Sequence, residues 1–238
     1  MSSHDLLARF DQDEALAETH HDAVESLDEG DSRRAFLKKA GLGGAAVMGS
    51  GALLAALTPA GAAAASGKGR PPAKFGKGDI GILNYALTLE YLEAAFYNEA
   101  TKKNIAKKAQ AKAFLKRTTA DENAHVAFLK KALGSKAVAA PKVEFGSALA
   151  TESSFLKTAM VLENTGVKAY GGQALNISNP AYVSAALSIW AVEARHASVA
   201  GLLVKDAPES ISPEKGAFQT TATAAEVLKA VEATGFLK

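Results

Sequence analysis

The chain has 238 residues with 27 Lys/Arg and 25 Asp/Glu, which gives a formal net charge of +2, and it contains no cysteine. The lack of cysteine excludes a disulfide framework and a thiolate metal site. Ten of the acidic and five of the basic residues precede Ser66, so the remainder is moderately basic. Its lysines are scattered without interleaved aromatic residues, which predicts a solvated helix face and no nucleic-acid site.

The beginning of the chain has two parts of different composition. Residues 1–31 carry ten Asp/Glu and a single basic residue, Arg9. A segment this charged buries too little apolar surface to offset its ordering entropy, so we predict a disordered extension. Arg33-Arg34 then precede an apolar, Gly/Ala-rich stretch, and residues 32–65 are predicted to be a twin-arginine export signal. The sequence therefore predicts a location in the periplasm, cell envelope or extracellular space.

The end of this signal has two alternative cleavage sites of small residues, at 60–62 and 63–65. An uncleaved membrane anchor at residues 40–57 is the alternative, and the protein would contact a membrane only in that case. The five glycines of this stretch make it weakly apolar, which favours cleavage. Residues 66–78 are predicted to be a linker, and residues 79–238 the folded domain.

Four long amphipathic helices are predicted in the folded domain, because apolar residues recur there at spacings of three and four. Asp79 is a candidate N-cap of the first helix, and Gly134 a candidate terminator of the second. The predicted spans are 79–102, 106–133, 152–174 and 180–205, with a short fifth helix at 222–233. Connections of modest length favour an all-α, up-and-down four-helix bundle with a short C-terminal helix.

A glutamate interrupts the apolar stripe near the middle of each long helix. An ionised carboxylate buried alone costs several kcal/mol, and four of them together also repel each other, so something must neutralise them. The four residues are Glu90, Glu122, Glu163 and Glu193. Two divalent cations would balance their combined charge.

The two histidines that follow the signal share one arrangement. His125 lies three residues after Glu122, and His196 lies three residues after Glu193. Residues at this spacing lie on one helix face, so carboxylate and imidazole can converge on one ion. Oxygen and nitrogen ligands suit iron or manganese, and the lack of thiolates argues against structural zinc. We therefore predict two divalent metal ions, iron or manganese, as cofactors.

The same order of residues occurs twice. Tyr97 lies seven residues after Glu90, and Tyr170 lies seven residues after Glu163. A Glu…Tyr helix followed by a Glu-x-x-His helix, repeated, indicates two helical hairpins related by internal duplication around a central site. Glu93 lies on a neighbouring apolar row and is the alternative to Glu90. The tyrosine spacing favours Glu90, which leaves Glu93 beside the site or on the surface.

This four-helix Glu, Glu-x-x-His pattern resembles that of the ferritin-like di-metal carboxylate proteins. The segment Leu89–Tyr97 behind a twin-arginine leader looks like the exported ferritin-like domain proteins, which include desiccation-associated relatives. The resemblance covers about residues 79–205. It implies that Glu122 and Glu193 bridge or chelate the metals, that Glu90 and Glu163 are terminal ligands, and that Tyr97 and Tyr170 donate hydrogen bonds around them. Both tyrosines can equally be ordinary core residues.

Two functional classes follow. The first is a non-haem di-metal redox protein whose partners are O₂, peroxide or ferrous iron, with ferroxidase, peroxidase or catalase-like chemistry. The twin-arginine route supports it, because that route carries folded proteins and allows the metal to be loaded before export. The second is a non-catalytic stress or cell-envelope protein with a structural metal site. Four small residues expected to face the site leave space for an oxidant and favour the first class: Ala94, Ala159, Ala186 and Ala200.

The sequence constrains the oligomeric state less than it constrains the fold. A hollow iron-storage shell is disfavoured, because the chain shows no sign of the extra subunit contacts that a cage needs. A simple homo-oligomer is compatible with the sequence.

Overall fold

The computed structural model of the protein describes residues 69–204 and 218–238. The predictions for the acidic extension, the export signal and its cleavage sites lie outside these residues. Five α-helices form in the described part: α1 Gly78–Lys102, α2 Ala109–Leu133, α3 Glu152–Gln173, α4 Pro180–Leu203 and α5 Ala224–Ala233. The predicted all-α bundle with a short C-terminal helix is confirmed. Among the described helices, none is sufficiently long and apolar to cross a bilayer.

Local chemistry explains three of the helix ends. Thr151 and Ser154 form a capping box at the start of α3. The Asn179 side chain accepts from the Ala181 N–H (2.9 Å), and Pro180 occupies the first position of α4. Gly134 ends α2 with φ of +56°, a conformation that favours glycine.

Asp79 does not have the predicted role of an N-cap. α1 begins at Gly78, and Asp79 lies in its first turn. Its carboxylate instead accepts hydrogen bonds from the backbone N–H groups of Ser178 (2.9 Å) and Asn179 (2.8 Å). The prediction that Asp79 accepts hydrogen bonds from unpaired backbone N–H groups is right, but those groups lie at the start of α4 and not of α1. Asp79 thereby ties the start of α1 to the start of α4.

The helices pair as two hairpins, α1 with α2 and α3 with α4. Phe96 near the end of α1 stacks on Phe155 near the start of α3, with ring centroids 5.6 Å apart. Asn84 near the start of α1 donates to the carbonyl of Lys136 just after α2 (2.9 Å). α3 therefore begins at the end of the bundle where α1 finishes. The up-and-down order holds within each hairpin, whereas the segment 134–151 crosses the bundle so that α2 and α3 run parallel.

The buried glutamates and histidines lie between two apolar clusters. One cluster contains the aromatic rings of Phe96, Tyr97, Phe114 and Phe155. The other is built from residues of the opposite half of the bundle: Leu83, Leu87, Leu129, Leu133, Tyr170, Ala186 and Ile189. Because both clusters exclude water, the layer between them has a low local dielectric, and charges in it interact strongly.

α5 packs against α3 and completes one side of the bundle. Its buried residues are Ala224, Val227 and Val231. The Ala222 N–H just before it donates to the carbonyl of Lys168 (3.1 Å). This approach needs a glycine, because a Cβ on Gly172 would lie 1.9 Å from the Ala222 carbonyl oxygen.

Candidate metal centre

The structure brings all six predicted ligands into one buried layer. α1 and α3 each supply one glutamate, while α2 and α4 each supply a glutamate and a histidine. The four glutamates are fully buried, and the two histidines are 9% and 6% exposed. The residues are Glu90, Glu122, His125, Glu163, Glu193 and His196. Each of them interrupts the apolar stripe of its helix, on the face that is directed toward the bundle axis.

The first half of the layer is organised around His125. Its Nδ1 lies 3.2 Å from Glu90 Oε2, 3.3 Å from Glu122 Oε2 and 3.3 Å from Glu193 Oε1. Three helices therefore contribute to one set of ligand atoms. In this set, every pair of ligand atoms is within 4.8 Å, which is close enough to surround one cation.

The second half is organised around His196. Its Nδ1 lies 3.0 Å from Glu122 Oε1 and 3.3 Å from Glu163 Oε2. Glu193 joins this set as well, within the same 4.8 Å limit. Glu122 and Glu193 thus belong to both sets, whereas Glu90 and Glu163 each belong to one. The roles of bridging and terminal ligands that the family resemblance implies would fit this division, and they stay predictions.

The hydrogen bonding of the cluster is incomplete. Within the described structure, the following buried atoms have no hydrogen-bond partner of suitable geometry: Glu122 Oε1, Glu163 Oε2, both carboxylate oxygens of Glu193, and His196 Nδ1. Leaving a buried polar atom unpaired costs about 1–3 kcal/mol, and more for a charged one. All of these atoms are good ligands for a hard or borderline divalent cation. The residues present therefore fit a metal centre.

Burial and mutual repulsion shift the protonation of the cluster. Burial, assisted by the charge of neighbouring glutamates, raises the pKa of Glu122 and that of Glu193 above the ordinary value. Burial alone would lower the pKa of His196, but the carboxylates of Glu122 and Glu163 outweigh it and raise the pKa to about 11. The metal-free cluster therefore retains protons that bound cations would displace.

The two tyrosines connect the halves of the layer. The Tyr97 hydroxyl on α1 donates to Glu163 Oε1 on α3. The Tyr170 hydroxyl on α3 donates to Glu90 Oε1 on α1, at 2.5 Å. Each tyrosine therefore reaches the terminal carboxylate of the other hairpin, and the second oxygen of that carboxylate remains directed toward a histidine. The spacing of seven residues indicated the pairing but not that it crosses between hairpins.

Glu93 is buried beside the layer without belonging to either ligand set. It is 3% exposed, and burial followed by the negative charges of Glu193 and Glu163 raises its pKa well above the ordinary value. Glu90, by contrast, contacts His125 directly. The structure therefore places Glu90 among the candidate ligands and Glu93 behind them. The surface position that the sequence left open for Glu93 is wrong, since its helix turns that face toward α3.

Gly166 allows the shared carboxylate of Glu193 to lie against α3. A Cβ at this position would be 2.7 Å from Glu193 Oε2 and 3.5 Å from Glu93 Oε1. Sequence reasoning missed this residue. A glycine three residues after a ligand glutamate, in the middle of a long helix, was the available signal, because glycine there disfavours the helix unless close packing requires it.

Gly166→Ala is expected to weaken metal binding at least tenfold while the bundle remains folded. Alanine normally favours a helix by about 1 kcal/mol over glycine. The new methyl group would instead displace the end of the flexible Glu193 side chain, which both ligand sets share. Calorimetric titration of the metal-free protein with Mn²⁺ measures the effect. Thr165→Ala, at the half-exposed neighbouring position, is the control, and equal affinities in the two variants would contradict the role of Gly166.

Asp121 is a second residue that sequence reasoning missed. Its Oδ2 lies 3.1 Å from Nε2 of His196, the ring nitrogen that faces away from the cluster. Arg117 holds the same carboxylate from one helical turn earlier, at 2.6 and 2.7 Å. The available signal was an acidic residue directly before Glu122 with an arginine four residues earlier. A carboxylate at this place would orient the His196 imidazole toward a bound metal ion.

Comparison with known proteins agrees with this geometry. The model of the ferritin-like domain family matches residues 78–206, which is more than half of the chain. The matched range begins at the first residue of α1 and ends just beyond α4, so it contains both ligand sets. A search of curated protein sequences finds no significant match.

Proposed function

Because the chain belongs to the ferritin-like domain family, we propose that it is an exported di-metal carboxylate protein. In this proposal the bundle holds two divalent ions, iron or manganese, and uses them for redox handling of O₂, peroxide or ferrous iron. The observation that carries it is the pair of overlapping ligand sets that share Glu122 and Glu193. Four ionised glutamates carry a charge of −4, and two divalent ions neutralise it with neutral histidines as the remaining ligands.

The chain's own residues have distinct tasks in this proposal. Glu122 and Glu193 belong to both ion positions, and one histidine completes each position. Tyr97 and Tyr170 hold one oxygen of each terminal carboxylate, which fixes where the second oxygen points. The apolar clusters on both sides exclude water and limit access to small molecules. When bound, a pair of redox-active ions would supply electrons to O₂ or peroxide, or accept them from a ferrous ion.

Metal analysis followed by optical spectroscopy tests this function. The protein is purified from its own export route, and its iron and manganese are quantified. We expect two ions per chain and an absorbance change when O₂ or peroxide is added to the reduced protein. Bound metal without any spectral response would contradict redox chemistry, and a stable protein without metal would contradict the metal centre itself.

A structural metal staple is the second candidate, and the deep burial of the site favours it. All four glutamates have no exposed surface. Two ions that merely neutralise these carboxylates would stabilise the bundle without needing an oxidant. The same spectroscopy separates the two functions: a staple raises the melting temperature and gives no change with peroxide.

The export step of the proposal rests on the sequence of residues 32–65. A twin-arginine signal suits a metal protein, because folding and metal loading precede export and avoid competition from copper and zinc outside. Replacing Arg33 and Arg34 with Lys is expected to retain the protein in the cytoplasm. Immunoblots of cytoplasmic and exported fractions measure this, and unchanged export would contradict the predicted route.

A further inference from the structure

The two histidines of the candidate centre have the same orientation. Each directs Nδ1 toward the carboxylates, which leaves Nε2 on the far side of the ring. On the far side of His196, Asp121 Oδ2 lies 3.1 Å from Nε2. Asp121 is itself held by two contacts from Arg117, and its side chain is only 15% exposed. His196 is therefore fixed from both sides.

Within residues 69–204 and 218–238, no carboxylate supports the far side of His125 in the equivalent way. Asp121 directly precedes Glu122, and the residue that directly precedes Glu193 is Val192. The position that corresponds to Arg117 is Ser188, whose hydroxyl donates to the carbonyl of Ala185 (2.7 Å). Among the described residues, the carboxylates that contact His125 all do so at Nδ1. The internal repeat therefore duplicates the ligands without duplicating the group behind them.

This difference has a direct consequence for metal binding. A carboxylate that accepts the Nε2 proton fixes the tautomer, so that the Nδ1 lone pair is available, and it makes the imidazole a better donor to a metal. Loss of such a partner typically costs about 10–100-fold in metal affinity. Arg117 is largely exposed, so its charge is screened, and it acts mainly by holding the Asp121 side chain in place.

We propose that the two ion positions are inequivalent: the position at His196, supported by Asp121, binds its ion more tightly and fills before the position at His125. The inference rests on the proposed function, because it requires two bound ions. Asp121 is a positioning residue in this scheme, since it acts on the metal through His196.

Stepwise titration of the metal-free protein with Mn²⁺ tests the proposal, with free Mn²⁺ measured by electron paramagnetic resonance. The wild type is expected to bind two ions in two steps whose dissociation constants differ at least tenfold. Asp121→Ala should weaken the tighter step by about 10–100-fold and leave the weaker step unchanged. Asp121→Asn keeps an acceptor oxygen without the charge and should lie between the wild type and Asp121→Ala.

The reciprocal variant provides the sharpest control. Val192→Asp places a carboxylate at the half-buried position equivalent to Asp121, and it should tighten the weaker step about tenfold or more. A merely structural effect would not weaken the tighter step in Asp121→Ala and strengthen the weaker step in Val192→Asp. Helicity of each metal-free variant by circular dichroism confirms folding, and Glu99→Gln on the exposed side of α1 should change neither step.

The outcomes separate this inference from the proposed function. Two ions bound with equal affinity by the wild type would overturn the inference while the di-metal proposal stands. The same holds if Asp121→Ala leaves both dissociation constants unchanged. Fewer than two ions bound by the wild type would overturn both.

Discussion

Glu122→Gln is expected to produce a folded protein that holds neither metal ion. In the wild type, the two carboxylate oxygens of Glu122 lie in different halves of the layer. Oε2 is 3.3 Å from Nδ1 of His125, and Oε1 is 3.0 Å from Nδ1 of His196. Glutamine keeps the volume but removes the charge and one acceptor oxygen. Loss of a direct ligand from both positions should exceed the roughly 100-fold loss seen when an outer partner is removed. Metal content per chain should fall from two ions to near zero.

Glu90→Gln is the matched comparison for this experiment. Glu90 is just as deeply buried but belongs to a single ligand set, so this variant should retain one ion. Retention of two ions by Glu122→Gln would contradict the shared role of Glu122. An equal loss in both variants would show that the two carboxylates do not differ in the way the geometry indicates.

Removal of the metal is expected to make stability depend steeply on pH. In the metal-free protein, burial and neighbouring charges raise the pKa values of Glu93 and Glu193 above those of the unfolded chain. The pKa of His196 is likewise raised, to about 11, against an ordinary value of 6.5. A group whose pKa is raised in the folded state binds more protons in the folded protein than in the unfolded chain. Stability is then highest at low pH and falls as pH rises toward the folded-state values.

The free energy of unfolding of the metal-free protein should therefore fall by a few kcal/mol between about pH 5 and about pH 9. Chemical denaturation at a series of pH values measures it. The loaded protein should show the opposite slope over the neutral range, because its ligands bind only after losing their protons. Glu93→Gln should reduce the pH slope of the metal-free protein, and the same variant should still bind two ions when it is loaded. A metal-free protein that is more stable at pH 9 than at pH 5 would contradict the prediction.

The helices and the ligands were accessible from the sequence because both depend on local periodicity. Spacings of three and four defined the helix faces, and a carboxylate on an apolar face is conspicuous because isolated burial is costly. The preference for Glu90 over Glu93 followed from the matched tyrosine offset. In the structure Glu90 contacts His125, and Glu93 lies against Gly166. Local sequence pattern was thus sufficient for each feature that depends on which face of a single helix a residue occupies.

The remaining features depend on contacts between helices, which periodicity does not encode. Asp121 lies beside a ligand in the chain but serves a histidine 75 residues away. Asp79 was recognised as a capping residue, although the N–H groups that it binds lie about 100 residues away. The crossover at 134–151 also escaped prediction, because a connection of this length allows α3 to start at either end of the bundle. To predict any of these three features, one must know which helices are neighbours in the bundle.

The exchanged tyrosine bonds also determine how the hairpins can assemble. Tyr97 and Tyr170 each bind a carboxylate of the opposite hairpin, 66 and 80 residues away along the chain. Sliding one hairpin past the other by one helical turn, about 5.4 Å, would break both bonds and separate each ligand set. Leucine and alanine faces tolerate such a slip with little loss, because one apolar turn resembles the next. The polar layer therefore fixes the register in which the two halves of the bundle dock.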